Sequence, residues 1–185
     1  MADIKNKTVY ILMGPSGSGK TTLGEYLKDM GIPELVSHTT RPPRKGEVEG
    51  ISYYFVSDEE FDQLNKIEES PYSGKHRYCL SQEELDKQFA AADKVFSIMD
   101  RIGAEEMRNK LPQGMVKVIY VDISLDDMLE RMTNRGDDPE AIAERIAHAK
   151  NSNEFANREI ADYVIQNKNT QLLYAFEDLC KIVAA

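Results

Sequence analysis

The chain has 185 residues, 41% of them hydrophobic and 30% charged, with a formal net charge of −9. That length carries one compact domain with a real core, and the acidic balance argues against broad nucleic-acid binding, which needs a basic surface. The cysteines Cys79 and Cys180 lie far apart, so no disulfide framework is expected, and the apolar run "VYILM" is too short for a signal or a membrane span. These features together predict a cytoplasmic chain that does not engage a membrane.

In chain order, strands are predicted at 8–13, 53–56, 94–99, 116–123 and 162–166. Helical patterns fall at 20–29, 82–92, 102–110, 125–134, 140–151 and 169–183. Four of the strands, all but 53–56, are β-branched or continuously apolar, as buried parallel strands are. Alternating strands and helices predict an α/β fold with a parallel sheet. The segment 37–60 breaks the alternation. It is rich in turn residues, holds one short strand and reads as part of an inserted lobe. Asp138 followed by Pro139 reads as an N-cap with Pro in the first helical position, separating two helices of the charged region 125–151.

The sharpest motif is "GPSGSGKT", Gly14–Thr21, which fills every position of G-x-x-x-x-G-K-[ST] between a strand and a helix. Glycines let backbone N–H groups turn toward phosphate oxygens, and the helix adds its positive end. Gly14, Ser16, Gly17, Ser18, Gly19, Lys20, Thr21 and Thr22 are therefore the candidate contacts for the donor nucleoside triphosphate. Lys20 reaches the β- and γ-phosphates, and the Thr21 hydroxyl suits Mg²⁺. Asp100, after the apolar run "KVFSIM", is the candidate second metal group, and it also reads as a helix N-cap.

A second anion site is predicted in "SHTTRPPRKGEVEG", residues 37–50. Prolines restrict φ and extend the residue before them, so Arg41 and Arg44 sit on a stiffened backbone suited to one phosphate dianion. Further on, Arg131 and Arg135 share a helix face and Arg145 follows on the next helix. Beside two anion sites they read as a mobile lid that neutralises a transferring phosphoryl group. Ordinary ion pairing with Glu130, Asp137 and Glu144 is the competing reading. His38, His76 and His148 show no ligand spacing.

These motifs, in this order, resemble the guanylate kinases among the nucleoside monophosphate kinases, over residues 8 to 168. "TTRPPRKGEVEG" is the most specific match, joined by "GPSGSGKTTL", Asp100–Gly103, "LERMTNRG", Arg145 and "DYVIQN". The resemblance implies a P-loop kinase fold, a parallel sheet flanked by helices with a small inserted acceptor lobe and a helical lid. Its parts would be a core of 1–34, 82–124 and 152–185, a lobe of 35–81 and a lid of 125–151. It implies MgATP-dependent conversion of GMP to GDP. Arg41, Arg44, Tyr53 and Tyr78 would hold the acceptor phosphate, with Tyr54 packing. Ser37 and either Glu68 or Glu69 would read the base, Asp100 would serve the acceptor side, and Asn167 would lie near the adenine. Arg131, Arg135 and Arg145 would be the lid arginines. The departures fall on the base side. Leu80 stands where a small hydroxyl residue is expected, Ile98 replaces the first acid of a D-x-D pair, and Ile102 replaces a glutamine. Two alternatives stay open: a kinase of this fold with another acceptor, and a non-catalytic binding module. Assembly is expected as a monomer or homodimer, with nucleotides as the only partners.

Overall fold

The computed structural model describes residues 6–70, 76–151, 154–169 and 172–185. In chain order its elements are β1 (Thr8–Met13), α1 (Lys20–Asp29), β2 (His38–Thr39), β3 (Tyr54–Phe55), α2 (Asp58–Gln63), β4 (Lys66–Ser70), β5 (Tyr78–Ser81) and α3 (Gln82–Ala91). There follow β6 (Lys94–Ile98), α4 (Arg101–Lys110), β7 (Val116–Asp122), α5 (Leu125–Arg135), α6 (Pro139–Asn151), a 3-10 helix (Glu154–Ile160), β8 (Tyr163–Gln166) and α7 (Leu172–Ala184).

The main sheet has four parallel strands in the order β6-β1-β7-β8. Its central strand, β1, is buried on both faces, and its alternation sorts the core. Val9, Ile11 and Met13 join Leu85, Ala104 and Met107 from α3 and α4. Tyr10 and Leu12 join Leu23 and Leu27 of α1 and Ala175 and Leu179 of α7. Helices on both faces explain why these strands read as continuous apolar runs. At the β6 edge, Leu35 N–H donates to the Phe96 carbonyl at 2.7 Å, so the chain leaving α1 covers that edge before entering the second sheet.

The second sheet runs β3-β2-β5-β4. Its β2–β3 pair is parallel, and the β2–β5 and β4–β5 pairs are antiparallel. The predicted strand 53–56 shrinks here to β3, and β2, β4 and β5 are strands the sequence pattern did not reveal. The reason is local. β2 spans His38–Thr39 alone, and β4 reads "KIEES", in which Ile67 is the one apolar residue. Helix α2 was also missed, although Ser57 and Glu60 form a capping box that opens it. Ser81 caps α3, accepting the Glu84 N–H at 3.2 Å. Asp138 accepts the Glu140 N–H at 2.9 Å ahead of Pro139, as its position predicts. The expected helix over 169–183 runs from Leu172 to Ala184, and residues 170–171 lie outside the described residues. No described helix is long and apolar enough to cross a membrane.

Candidate active site

The candidate residues gather at the carboxyl ends of the parallel strands, the usual place for ligands in an open α/β sheet. The P-loop leaves β1 and opens α1 with Gly19 in a left-handed conformation and no side-chain cap. The first amides of α1 are thus left for a ligand. Two glycines are required by space as well as φ. A Cβ on Gly14 would lie 2.5 Å from the Val121 carbonyl oxygen, and one on Gly19 would lie 2.3 Å from Asn167 Nδ2. Lys20 Nζ arches over the loop and donates to the Gly14 and Pro15 carbonyls at 2.6 and 2.8 Å. Burial lowers its pKa to about 8. The Ser18 hydroxyl is buried with no hydrogen-bond partner among the described residues. An orphaned hydroxyl in the same loop as a half-buried ammonium and uncapped amides fits a polyanion. Thr21 and Thr22 are exposed in the first turn of α1.

The outer side of the loop is braced. Asn167 Nδ2 donates to the Ser18 carbonyl at 2.7 Å. Arg131 donates to the carbonyls of Gly17 at 3.3 Å, Ser18 at 3.4 Å and Asn167 at 2.6 Å, and its Nε reaches Asn169 Oδ1. In a trans peptide N–H and C=O point opposite ways. Holding the Ser18 carbonyl outward therefore turns the Gly19 N–H inward. Arg131 stands here against the P-loop and away from Arg135, although the two share a helix. Asn167 is fully buried, so its side chain supports the loop and not an open base pocket.

On the acceptor side, Arg41 is only 7% exposed. Its guanidinium forms a two-point pair with Glu47, at 3.0 and 2.8 Å, and donates from Nε to the Tyr78 hydroxyl at 3.1 Å. The Tyr53 and Phe55 rings flank it at 5.5 and 6.0 Å. Glu47 also accepts the Arg44 N–H at 2.7 Å. One carboxylate thus shapes the turn and aims Arg41, a role the prolines alone do not fill. The hydrogen bond from Arg41 holds the Glu47 carboxyl below its usual range. The Arg44 side chain is exposed at the turn. A cavity of about 310 Å³ joins the two sides, lined by Thr21 from the P-loop helix, Ser37 and Tyr53 from the lobe, and Ile98 from β6.

Glu68 and Glu69 point to opposite sides of β4. Glu68 is 5% exposed, and burial, then the charges of Asp100 and Glu106, push its pKa up to about 8. Helix α4 packs so closely that a Cβ on Gly103 would lie 3.2 Å from Glu68 Oε1. Glu69 instead pairs with Lys66 at 3.3 Å and Arg77 at 3.2 Å. Asp100 caps α4, accepting the Gly103 N–H at 2.9 Å. Tyr54 does more than pack: its hydroxyl donates to Glu84 Oε2 at 3.0 Å, and its ring lies on His38 at 4.7 Å. His148 lies on α6, 3.6 Å from Glu154. Arg135 and Arg145 converge from α5 and α6 onto Asp137.

A family model described as guanylate kinase matches residues 6–185. This chain belongs to the guanylate kinase family. It is 40% identical over 169 residues to the guanylate kinase of Haemophilus influenzae strain 86-028NP, covering 86% of this chain and 79% of the relative. It is 35% identical over 192 residues to that of Neisseria meningitidis strain Z2491, covering 100% and 91%. The crystal structure of guanylate kinase from Anaplasma phagocytophilum superposes with a TM-score of 0.69 at 27% identity, covering 96% of this chain and 83% of that one.

Within this guanylate kinase fold the base-side departures take distinct places. Leu80 is fully buried in the core under α3 and α4, Ile98 lines the shared cavity, and Ile102 is 55% exposed on α4. Residues 71–75 of the divergent segment lie outside the described residues. Sequence reasoning passed over Glu47, Asn169 and Glu84. Glu47 had a signal, since an acid three residues after Arg44 is positioned to close a turn. Asn169 had none, because its partners Arg131 and Glu130 are distant in sequence, and Glu84 had only the helix-start pattern with Ser81, which does not reveal its bond from the Tyr54 hydroxyl.

Proposed function

We propose that this chain transfers the γ-phosphoryl group of ATP to GMP, giving ADP and GDP. The observation that carries the reading is the cavity shared by Thr21 of the P-loop helix and Ser37 and Tyr53 of the lobe. It would set a donor phosphate and an acceptor phosphate against each other. Family membership supports the same assignment. The parts follow the sequence: a core of 1–34, 82–124 and 152–185, an acceptor lobe of 35–81 and a lid of 125–151.

The acceptor phosphate is held by Arg41, Arg44, Tyr53 and Tyr78, with Glu47 orienting Arg41. Ser37 and Glu68 read guanine, and Asp100 stands with Glu68 on that side. A guanine ring brings N–H donors from N1 and the 2-amino group, which favour the ionised Glu68. Lys20, the Ser18 hydroxyl and the P-loop amides hold the triphosphate, backed by Arg131 and Asn167. Thr21 is the residue suited to hold Mg²⁺, and among the described residues no cluster of side chains forms a metal site by itself. The ion, when bound with the nucleotide, neutralises charge on the phosphates. The bond between the γ-phosphorus and the β,γ-bridging oxygen breaks as an acceptor phosphate oxygen bonds to that phosphorus. Lys20, Arg135 and Arg145 stabilise the charge on the transferring group, and closure of the lid excludes water.

A panel of nucleoside monophosphates with MgATP tests the assignment. GMP is expected to exceed the other bases in kcat/KM by about a thousandfold or more, because unpaired buried polar groups reject the wrong base. GMP activity no better than the rest would overturn it.

A further inference from the structure

We propose that Asp137 is a positioning residue that assembles Arg135 and Arg145 into one phosphate-binding pair. This rests on the kinase reading above and adds a residue to its machinery. Asp137 lies between the two lid helices. Its Oδ1 accepts from Arg135 Nε at 2.7 Å, and its Oδ2 accepts both from Arg135 Nη2 and, at 3.0 Å, from Arg145 Nη1. The carboxylate is 16% exposed, whereas the arginine side chains are 57% and 46% exposed. Its backbone is fixed too: Gly136 ends α5 in a left-handed conformation, and the Asp137 N–H donates to the Met132 carbonyl at 3.1 Å.

A lone exposed ion pair does little. This arrangement differs because one carboxylate serves two arginines from two helices. Without it, two like charges on flexible stems would repel and spread. With it they converge before any phosphate arrives, and the trio keeps a net positive charge. The outward edges stay available: Arg135 Nη1 and Arg145 Nε and Nη2 have no acceptor among the described residues. A phosphoryl group can therefore bind the far side of each guanidinium while Asp137 holds the near side. Glu130, another acid at helical spacing, is engaged elsewhere by Asn169. The hydrogen bond from Arg135 holds the Asp137 carboxyl below its usual range, so it stays ionised at neutral pH.

The test is a double-mutant cycle of Asp137→Asn and Arg145→Gln with MgATP and GMP, with thermal midpoints recorded for every variant. Asparagine keeps the shape but turns an N–H₂ toward arginine donors. Asp137→Asn is expected to lower kcat about fivefold to tenfold with KM for ATP changed less than about twofold, as loss of positioning does. Asp137→Glu should recover part of kcat. In the Arg145→Gln background, Asp137→Asn should cost less than about half of its effect in the wild type, because the two act together. An unchanged or raised kcat in Asp137→Asn would overturn the proposal, the raised value marking the carboxylate as a competitor of the nucleotide. So would an undiminished effect in the Arg145→Gln background, or a kcat loss that follows a fall in thermal midpoint. A wild-type chain inactive on GMP would overturn the kinase reading and this one together. An active wild type with an unaffected Asp137→Asn variant would overturn this one alone.

Discussion

At the scale of single residues, the guanine-reading role proposed for Glu68 would come at a cost in stability. Its carboxyl is buried between β4 and α4 near Asp100 and Glu106, and its pKa is pushed up to about 8. An unfolded glutamate titrates near about 4.3. Between these two values the folded chain holds a proton that the unfolded chain has lost. Stability therefore falls as pH rises across that window and levels off above it. Glu68→Gln removes this slope. Urea unfolding should show the variant gaining on the wild type by about 4 kcal/mol at pH 9 relative to pH 5. The same change should lower kcat/KM for GMP by about a hundredfold, since a carboxamide cannot accept from both guanine donors. A wild-type chain equally stable at both pH values would refute the stability half. Choosing between Glu68 and Glu69 was beyond the reach of sequence spacing. Neighbours on a strand face opposite ways, but which face meets α4 depends on a register that the pattern "KIEES" does not specify.

At the scale of elements, the P-loop is a close-packed joint as well as a ligand cradle. Gly14 approaches the Val121 carbonyl of β7, and Gly19 approaches Asn167 after β8. Gly14→Ala puts a Cβ 2.5 Å from a main-chain oxygen at a φ of 149°, so the loop or β7 must shift. The variant should lose about 2 kcal/mol or more of stability and most ATP affinity, checked by thermal denaturation and calorimetry. A well-folded variant with normal ATP affinity would refute this account. Ser81→Ala offers a milder test on α3. Losing the bond to Glu84 N–H should cost about 1 kcal/mol in urea and leave kcat nearly unchanged, because the Ser81 hydroxyl is engaged in capping α3. Elements of the main sheet were legible because strands covered on both faces carry their own apolar signal. Of the lobe strands only β3 was legible, because β2 has two residues, β4 has one apolar residue and β5 is only four residues long, too few positions to show a period.

At the scale of the whole molecule, the packing divides in a way that suits closure. Ile123, Met128, Met132, Ile142 and Ala149 form a small cluster of their own in the α5–α6 region, apart from the two cores of the main sheet. A segment with its own core can move as a body at little cost. Binding of GMP together with a non-hydrolysable MgATP analogue should therefore contract the molecule, read as a smaller radius of gyration in solution scattering. Each ligand at a hundred times its Kd should add about 2.7 kcal/mol of stability. No contraction with both ligands bound would count against a moving lid.

The sequence by itself determined the strands of the main sheet, the P-loop, the basic stretch from Arg41 to Lys45 and the placing of Arg131, Arg135 and Arg145 on two consecutive helices. Each of these is encoded by residues close together in the chain, where local sterics and periodicity act directly. Tertiary structure alone decided how the arginines divide their work. Arg131 turns to the P-loop because its carbonyls and Asn167 meet it there, while Arg135 and Arg145 turn to Asp137. It also decided that Glu47 aims Arg41 and that Glu68, not Glu69, is buried against α4. A charged side chain takes its direction from whichever counter-charges and dipoles the fold brings within a few ångströms, and those partners are set by packing.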